Sequence, residues 1–175
     1  NIVFGAMLAV LLACGLTIAA SHGLWKTLTD SVRIGNLAQR IADFDLPQGY
    51  QADYAVEMLG YTIVAYKSSD EQSHLAFLRA PPGIIPDGQM MEGYIPNDRS
   101  KTTWSDATVI RAEQRTIRDH SAIITISERS NSGGRDYRSL NVVFEGREGP
   151  VLLVINQPVS DWDAAAVETF IASIH

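Results

Sequence analysis

The sequence is poor in cysteine, and this restricts the chemistry that the chain can carry. The only cysteine among the 175 residues is Cys14, which lies inside an apolar stretch. A disulfide within the chain and a thiolate metal cluster each need more than one cysteine, so both are excluded. Covalent c-type haem is excluded as well, because no Cys-x-x-Cys-His motif is present.

Blocks of basic residues and the common catalytic motifs are also missing. Asp and Glu outnumber Lys and Arg by 20 to 14, and the formal net charge is -6, which disfavours a nucleic-acid partner. The sequence has no glycine-rich nucleotide-binding motif, no Gly-x-Ser-x-Gly and no His-Glu-x-x-His. The histidines are far apart in the sequence: His22, His74, His120 and His175. We therefore predict no metal site, no cofactor and no catalytic residue.

Residues 2–21 contain no charge, and their polar side chains are only those of Thr17 and Ser21. About 20 helical residues at 1.5 Å each span roughly 30 Å, the thickness of the hydrocarbon core of a bilayer. A cleaved signal peptide and a lipoprotein signal ending at Cys14 are alternatives. The length and the lack of charge favour a retained transmembrane helix over residues 1–21.

Two features of this region are typical of a helix that packs within the membrane. Gly5, Ala9 and Ala13 are spaced by four, so they share one helix face on which another helix can approach closely. Trp25 and Lys26 follow, and an aromatic ring and a long ammonium side chain suit the headgroup level. We predict a membrane-helix packing face and an interfacial anchor from these residues.

Residues 22–42 show a helical apolar period. Leu24, Leu28 and Val32 recur at a spacing of four, and Ile34 and Ile41 continue the pattern. We predict a separate amphipathic segment here, either a stalk that continues the membrane helix or an interfacial helix.

Residues 43–175 predict one soluble α+β domain with a mostly antiparallel β-sheet and a C-terminal helix packed on it. The predicted strands cover residues 43–46, 54–58, 61–66, 75–78, 108–118, 121–127, 140–144 and 151–155. Residues 131–136 are rich in turn formers and predict a hairpin. Ser160 is the predicted N-cap of the last helix, with Asp163 three residues later.

Residues 80–106 are interrupted by proline and glycine, and they form the least regular part of the chain. A long irregular connection in a compact domain is often a binding element. Its apolar residues form a candidate partner loop: Ile84, Ile85, Met90, Met91 and Tyr94. The alternative is that these side chains fold back and cap the domain.

Four arginines fall near the predicted strands of the second half, and they have two interpretations. Arg111, Arg115, Arg118 and Arg138 would form a basic strip on the sheet. The favoured interpretation is a solvated face on which Glu113 and Glu128 alternate with them.

The pattern of elements after residue 42 resembles the PsbP-like group of α/β/α sandwich proteins, which includes extrinsic photosystem subunits. The resemblance covers residues 43–175 and is carried by three features. These are the segment Phe44-Asp45-Leu46-Pro47-Gln48-Gly49-Tyr50, the strand hairpins, and the closing strand, turn and helix from Trp162 to Ile174. The proline-rich region in mid-chain departs from the group. The resemblance implies a non-enzymatic accessory role beside a membrane complex.

These features together predict a non-catalytic, single-pass membrane-anchored accessory subunit. It would pack in a multi-subunit membrane complex of photosynthetic or respiratory electron transport, with the transmembrane helices of other subunits and the lipid bilayer as partners. The alternative is a membrane-anchored solute-binding or sensor module of the cell envelope, which a closed apolar pocket between the last helix and the sheet would favour. The soluble domain is expected on the periplasmic or outer face of the cell membrane.

Overall fold

The computed structural model describes residues 26–86 and 105–175, and the side chains from residue 29 onward within those ranges. The strands are β1 Lys26–Leu28, β2 Tyr50–Met58, β3 Tyr61–Ser68, β4 His74–Arg79, β5 Thr108–Ile117, β6 His120–Ser130, β7 Asp136–Gly146 and β8 Gly149–Pro158. The α-helices are α1 Ser31–Ile41 and α2 Ala164–Ala172, and a single 3₁₀ turn, Val159–Asp161, precedes α2.

The eight strands form one antiparallel sheet in the order β1-β2-β3-β4-β8-β7-β6-β5. Each half of the chain therefore forms a four-stranded meander, and the two meanders join along their last strands, β4 and β8. Strands β1 and β5 are the two edges of the sheet. The mostly antiparallel α+β architecture predicted from the sequence is confirmed.

Two short turns set the register of the hairpins. Leu59 and Gly60 join β2 to β3 with φ angles of 50° and 85°, and Arg118 and Asp119 join β5 to β6 with 50° and 63°. Two central residues with positive φ characterise a type I′ turn, whose twist matches that of the flanking strands.

One face of the sheet is covered by both helices, and we call it the helix face. Helix α1 buries Ile34, Leu37, Ala38 and Ile41 on it, and α2 buries Val167, Phe170 and Ile171. Phe44 lies between the layers, with its ring centroid 4.6 Å from that of Phe77 and 5.9 Å from that of Phe170. The main core of the domain is thus shared by the two halves of the chain.

The opposite face, which we call the second face, carries a separate apolar cluster. Its buried members are Val56, Ile63, Ala65, Ala76, Leu78, Leu152 and Val154. They alternate along the strands with the residues of the helix face, as the two-residue period of a strand requires. Neither α1 nor α2 contributes to this cluster.

The region between residues 26 and 42 belongs to the folded domain. Residues 26–28 form the edge strand β1, and α1 packs on the helix face instead of forming a separate stalk. The side chain of Asp30 caps α1 by accepting a hydrogen bond from the Arg33 amide at 3.0 Å. The predicted domain boundary at residue 43 therefore falls inside the domain.

Two local predictions differ from the structure. Residues 43–46 form no strand: only Asp43 exchanges backbone hydrogen bonds, with His175 at 3.1 and 3.0 Å, and Phe44 and Leu46 pack on the core. Helix α2 is capped by Asp163, whose carboxylate accepts from the Ala165 and Ala166 amides at 2.9 and 3.0 Å. Ser160 lies in the preceding 3₁₀ turn.

The predicted membrane helix lies outside the described residues. This holds for Gly5, Ala9 and Ala13 of the proposed packing face and for Trp25, whereas Lys26 is the first residue of β1. Among residues 26–86 and 105–175, no helix is long and apolar enough to cross a bilayer.

Candidate partner-binding surface

The chain enters the sheet close to the β2–β3 turn. Lys26 pairs with Glu57, next to Met58 at the end of β2. Arg79 at the end of β4 pairs with Thr62 at the start of β3, so the segment after β4 begins at the same end of the sheet. We call this the proximal end, and it comprises the start of β1, the Leu59–Gly60 turn and residues 80–86.

Exposed apolar side chains are grouped at the proximal end. Leu59 is 70% exposed, Ile84 38% and Ile85 76%. A Cβ built on Gly60 would lie 3.2 Å from Cγ of Pro81, so the turn and the segment after β4 are in contact. The Ile84 amide donates to the Pro81 carbonyl at 3.1 Å, which folds this segment into a turn. Large exposed apolar residues that lie together are typical of an interaction surface.

Leu59 occupies a backbone conformation that disfavours leucine. The left-handed region costs an L-residue roughly 1–2 kcal/mol, and type I′ turns strongly prefer Asn, Asp or Gly there. Leu59 is exposed, so packing within the described domain does not offset this cost. A costly conformation with an exposed apolar side chain favours a role in binding.

Four charged side chains next to the proximal end are paired with each other. Glu148 accepts hydrogen bonds from Arg40 at 3.2 and 3.1 Å and also pairs with Arg79, which donates to the Thr62 hydroxyl at 2.7 Å. Arg40 reaches Glu57 as well, at 3.2 Å. The Arg40 hydrogen bond lowers the pKa of the Glu148 carboxyl, so this group stays ionised at neutral pH. The network ties α1 to β2, β4 and the β7–β8 turn.

A row of polar side chains crosses the second face. The strand register places Lys67, His74, Asn156, Ser139 and Ser127 side by side on five adjacent strands. The Ser139 hydroxyl donates to Oδ1 of Asn156 at 2.8 Å, and both residues are buried. Sequence reasoning missed this row, because its members are distant along the chain and only the register of the strands brings them together.

His74 is the titratable member of this row that burial perturbs most clearly. Desolvation lowers the pKa of its imidazole, and the nearby Asp53 carboxylate opposes this only in part. Lys67 pairs with Asp53 at 3.4 Å and with Glu71 at 2.6 Å. His74 is therefore neutral at pH 7.

Three of the four arginines that the sequence singled out are ion-paired with glutamates, which supports the favoured interpretation. Arg111 and Arg115 both bind Glu113, and Arg115 also reaches Glu168 of α2 at 3.1 Å. Arg138 binds Glu128 and stacks 5.4 Å over the Trp162 ring. Arg118 instead donates a hydrogen bond to the Glu145 backbone carbonyl at 3.0 Å.

Two of the five residues of the predicted partner loop, Ile84 and Ile85, are described, and both are exposed at the proximal end. Met90, Met91 and Tyr94 lie outside the described residues. Within the part of the chain that the structure describes, no three side chains of His, Cys, Asp or Glu are grouped as metal ligands.

Comparison with known proteins finds similarity only in three dimensions. No protein-family model and no curated protein matches the sequence. Among solved structures, the chain is similar to the solution structure of cyanobacterial PsbP (CyanoP) from Synechocystis sp. PCC 6803. The TM-score is 0.45 at 12% sequence identity, and the match covers 86% of this chain and 91% of that chain. The weak resemblance to PsbP-like proteins predicted from the sequence is thus also present between the structures.

Proposed function

We propose that this protein is a non-catalytic accessory subunit that a membrane helix over residues 2–21 holds beside a multi-subunit membrane complex. The domain turns its proximal end toward the bilayer and toward the membrane-embedded subunits. The observation that carries this proposal is the grouping of exposed Leu59, Ile84 and Ile85 at the end of the sheet where β1 begins.

The spacing along the chain limits how far the domain can lie from the membrane. Only residues 22–25 separate the proposed span from β1. Four residues reach at most about 14 Å when fully extended. A bilayer-spanning segment at residues 2–21 therefore keeps the proximal end, and not the opposite end of the sheet, close to the headgroups.

The exposed apolar side chains have a physical role in that position. Fully burying a leucine or isoleucine contributes roughly 1.5–3 kcal/mol. The neighbouring Arg40, Arg79 and Glu148 already pair with one another, so docking leaves none of these three charges buried without a partner. A subunit surface with an apolar centre beside neutralised charges suits a stable protein contact.

The alternative function, a solute-binding or sensor module, would be supported by an apolar pocket between α2 and the sheet. The space between α2 and the sheet is filled by the aromatic rings of Phe44, Phe77 and Phe170, whose centroids lie 4.6 to 6.3 Å apart. We therefore advance the accessory function alone.

The test is co-purification of the tagged full chain from native membranes in mild detergent. Photosynthetic and respiratory electron-transport complexes, which the sequence resemblance suggests, are the first to be sought by mass spectrometry. We expect the wild type to bring its partner subunits. The double variant Leu59→Asp/Ile85→Asp should bring at least about tenfold less, because two apolar contacts are replaced by charges.

Val32→Asp is the matched control, since Val32 is also 70% exposed but lies in the first turn of α1. Recovery of the wild-type protein alone as a monomer would contradict the accessory function. Equal loss of partners in the control would show that the proximal end is not the binding surface.

We also propose that the domain lies on the periplasmic or outer face of the cell membrane, the side to which an N-terminal anchor followed by one domain more often exports that domain. Protease added to intact cells from which any outer membrane has been removed should digest the domain without lysis. Digestion only after lysis would place the domain in the cytoplasm.

A further inference from the structure

Among the described residues, no strand pairs with the outer side of β5, the longer edge of the sheet. Strand β5 has ten residues, of which the last, Ile117, is buried and the other nine are at least partly exposed. Val109 and Ile110 are 59% and 48% exposed at its start. An edge strand presents a row of backbone amides and carbonyls to which another strand can bind.

The turn after β5 determines which backbone groups point outward. In a two-residue type I′ hairpin the residues flanking the turn, here Ile117 and His120, form a hydrogen-bonded pair. Backbone groups alternate along a strand, so those of Arg115 and Glu113 point toward β6. The amides and carbonyls of Ala112, Gln114 and Thr116 therefore face the open edge.

The charges on β5 select what can pair with it. Arg111, Glu113 and Arg115 share one face, so their signs alternate along the strand. An antiparallel copy of β5 with Gln114 on the two-fold axis places each Glu113 opposite the other copy's Arg115. With Glu113 or Arg115 on the axis, like charges meet, which is destabilising. Ala112 on the axis also matches the charges, but it brings the bulge between Val109 and Arg111 into the paired region.

We propose that β5 pairs with β5 of a second copy of this chain around a two-fold axis at Gln114, joining two sheets into one. Three hydrogen-bonded residue pairs form, each of which exchanges two bonds: Gln114 with its counterpart, and Ala112 with Thr116 twice. The charges of Glu113 and Arg115 discourage pairing with a strand that does not match them, whereas a second copy of β5 in this register places opposite charges across from each other. The proposal does not depend on the accessory function.

The helix next to this edge leaves room for the second copy. Arg115 contacts Glu168 at 3.1 Å, so α2 lies near β5. The exposed side of α2 carries the short side chains of Ala165, Thr169 and Ala172. No long side chain from these positions therefore obstructs the approach of a second copy.

The test compares the molar mass of the wild-type full chain and Gln114→Pro in mild detergent by sedimentation over a range of protein concentrations. Because the Gln114 amide faces outward, proline removes no hydrogen bond to β6 but blocks the second copy. We expect a concentration-dependent dimer for the wild type and a monomer for Gln114→Pro. A wild type that is monomeric throughout, or a Gln114→Pro variant that dimerises equally well, overturns the proposal.

Charge reversal provides a second test that does not depend on proline being tolerated. Glu113→Arg should raise the dimer dissociation constant about tenfold or more, because it places like charges opposite each other at two symmetric positions. Glu113→Arg/Arg115→Glu should restore dimerisation, since it exchanges the signs within each pair. Glu145→Arg on β7, an exposed carboxylate away from the edge, is the control. If the double variant fails to recover, this register is wrong.

Discussion

Leu59 combines an unfavourable backbone conformation with an exposed apolar side chain, and the two effects can be separated by mutation. We predict that Leu59→Asn raises the free energy of unfolding by about 1 kcal/mol, because Asn-Gly suits a type I′ turn. The same change should weaken partner recovery, because the apolar contact is lost. Urea denaturation and co-purification measure the two effects.

Arg118→Asn is the matched control for Leu59→Asn, since Arg118 has the same φ of 50° in the other type I′ turn. It should leave partner recovery unchanged. If Leu59→Asn were to destabilise the domain, Leu59 would be a packing residue and not a binding residue.

His74 gives the domain a pH dependence with a definite sign. Burial lowers the pKa of its imidazole in the folded state, so below the usual value of 6.5 the unfolded state binds more protons. Stability is therefore full above about pH 6.5 and falls as the pH drops toward the folded-state pKa, by at most about 1.4 kcal/mol per unit. We predict that His74→Asn flattens the melting temperature between pH 7.5 and 5.5. An unchanged slope in His74→Asn would assign the dependence to other groups.

At the level of single residues, the sequence indicated which side chains are exposed better than it indicated which side chains lie next to each other. It singled out Ile84 and Ile85 as candidate contact residues, and they are exposed. It assigned no role to His74, because Asn156 and Ser139 become its neighbours only through strand register. Phe44 was predicted in a strand, but it lies in an irregular segment and packs against the core. The neighbouring Asp43 exchanges backbone hydrogen bonds with His175.

Among the elements, α1 depends on a charged network at its last turn. Glu148 joins Arg40 of α1 to Arg79 of β4, whose side chain is only 14% exposed. We predict that Glu148→Ala lowers the free energy of unfolding by about 1–2 kcal/mol, because a largely buried guanidinium loses a partner. Amide exchange in α1 should accelerate, as measured by mass spectrometry.

Glu145→Ala, which removes an exposed carboxylate three residues earlier on β7, is the control for Glu148→Ala and should have little effect. Equal effects of the two substitutions would show that the network adds nothing beyond an ordinary surface charge.

The elements themselves were largely predictable, and their partners were not. The apolar period after residue 30 correctly predicted a helix, since Ile34 and Ile41 are buried on one side of α1. Periodicity identifies which side of a helix is buried but not what covers that side. The same apolar period is therefore compatible with a stalk and with the observed packing on the sheet. The cap of α2 was displaced to Asp163 because a 3₁₀ turn intervenes.

For the whole molecule, the proposed anchor and the position of β1 predict an orientation that can be tested. We predict that a fluorophore attached at Leu59→Cys is shielded from an aqueous quencher when the full chain is reconstituted in liposomes. The same fluorophore at Val32→Cys should be quenched freely, because Val32 lies in the first turn of α1. Cys14→Ser provides the background, since Cys14 is the only native thiol. Equal quenching at both positions would contradict the orientation.

The joining of two meanders along β4 and β8 has a consequence for how the chain folds. Within each meander, every strand pairs with its neighbour in sequence, and such contacts form quickly. The β4–β8 pairing joins residues that are far apart in the sequence, such as His74 and Asn156. It can form only after β4 and β8, the last strands of the two meanders, have formed. Because Phe77 of the first half needs Phe170 of the second to complete the core, neither half has a complete core of its own. We expect the pairing of β4 with β8 to limit the folding rate, and we expect both halves to unfold in a single transition.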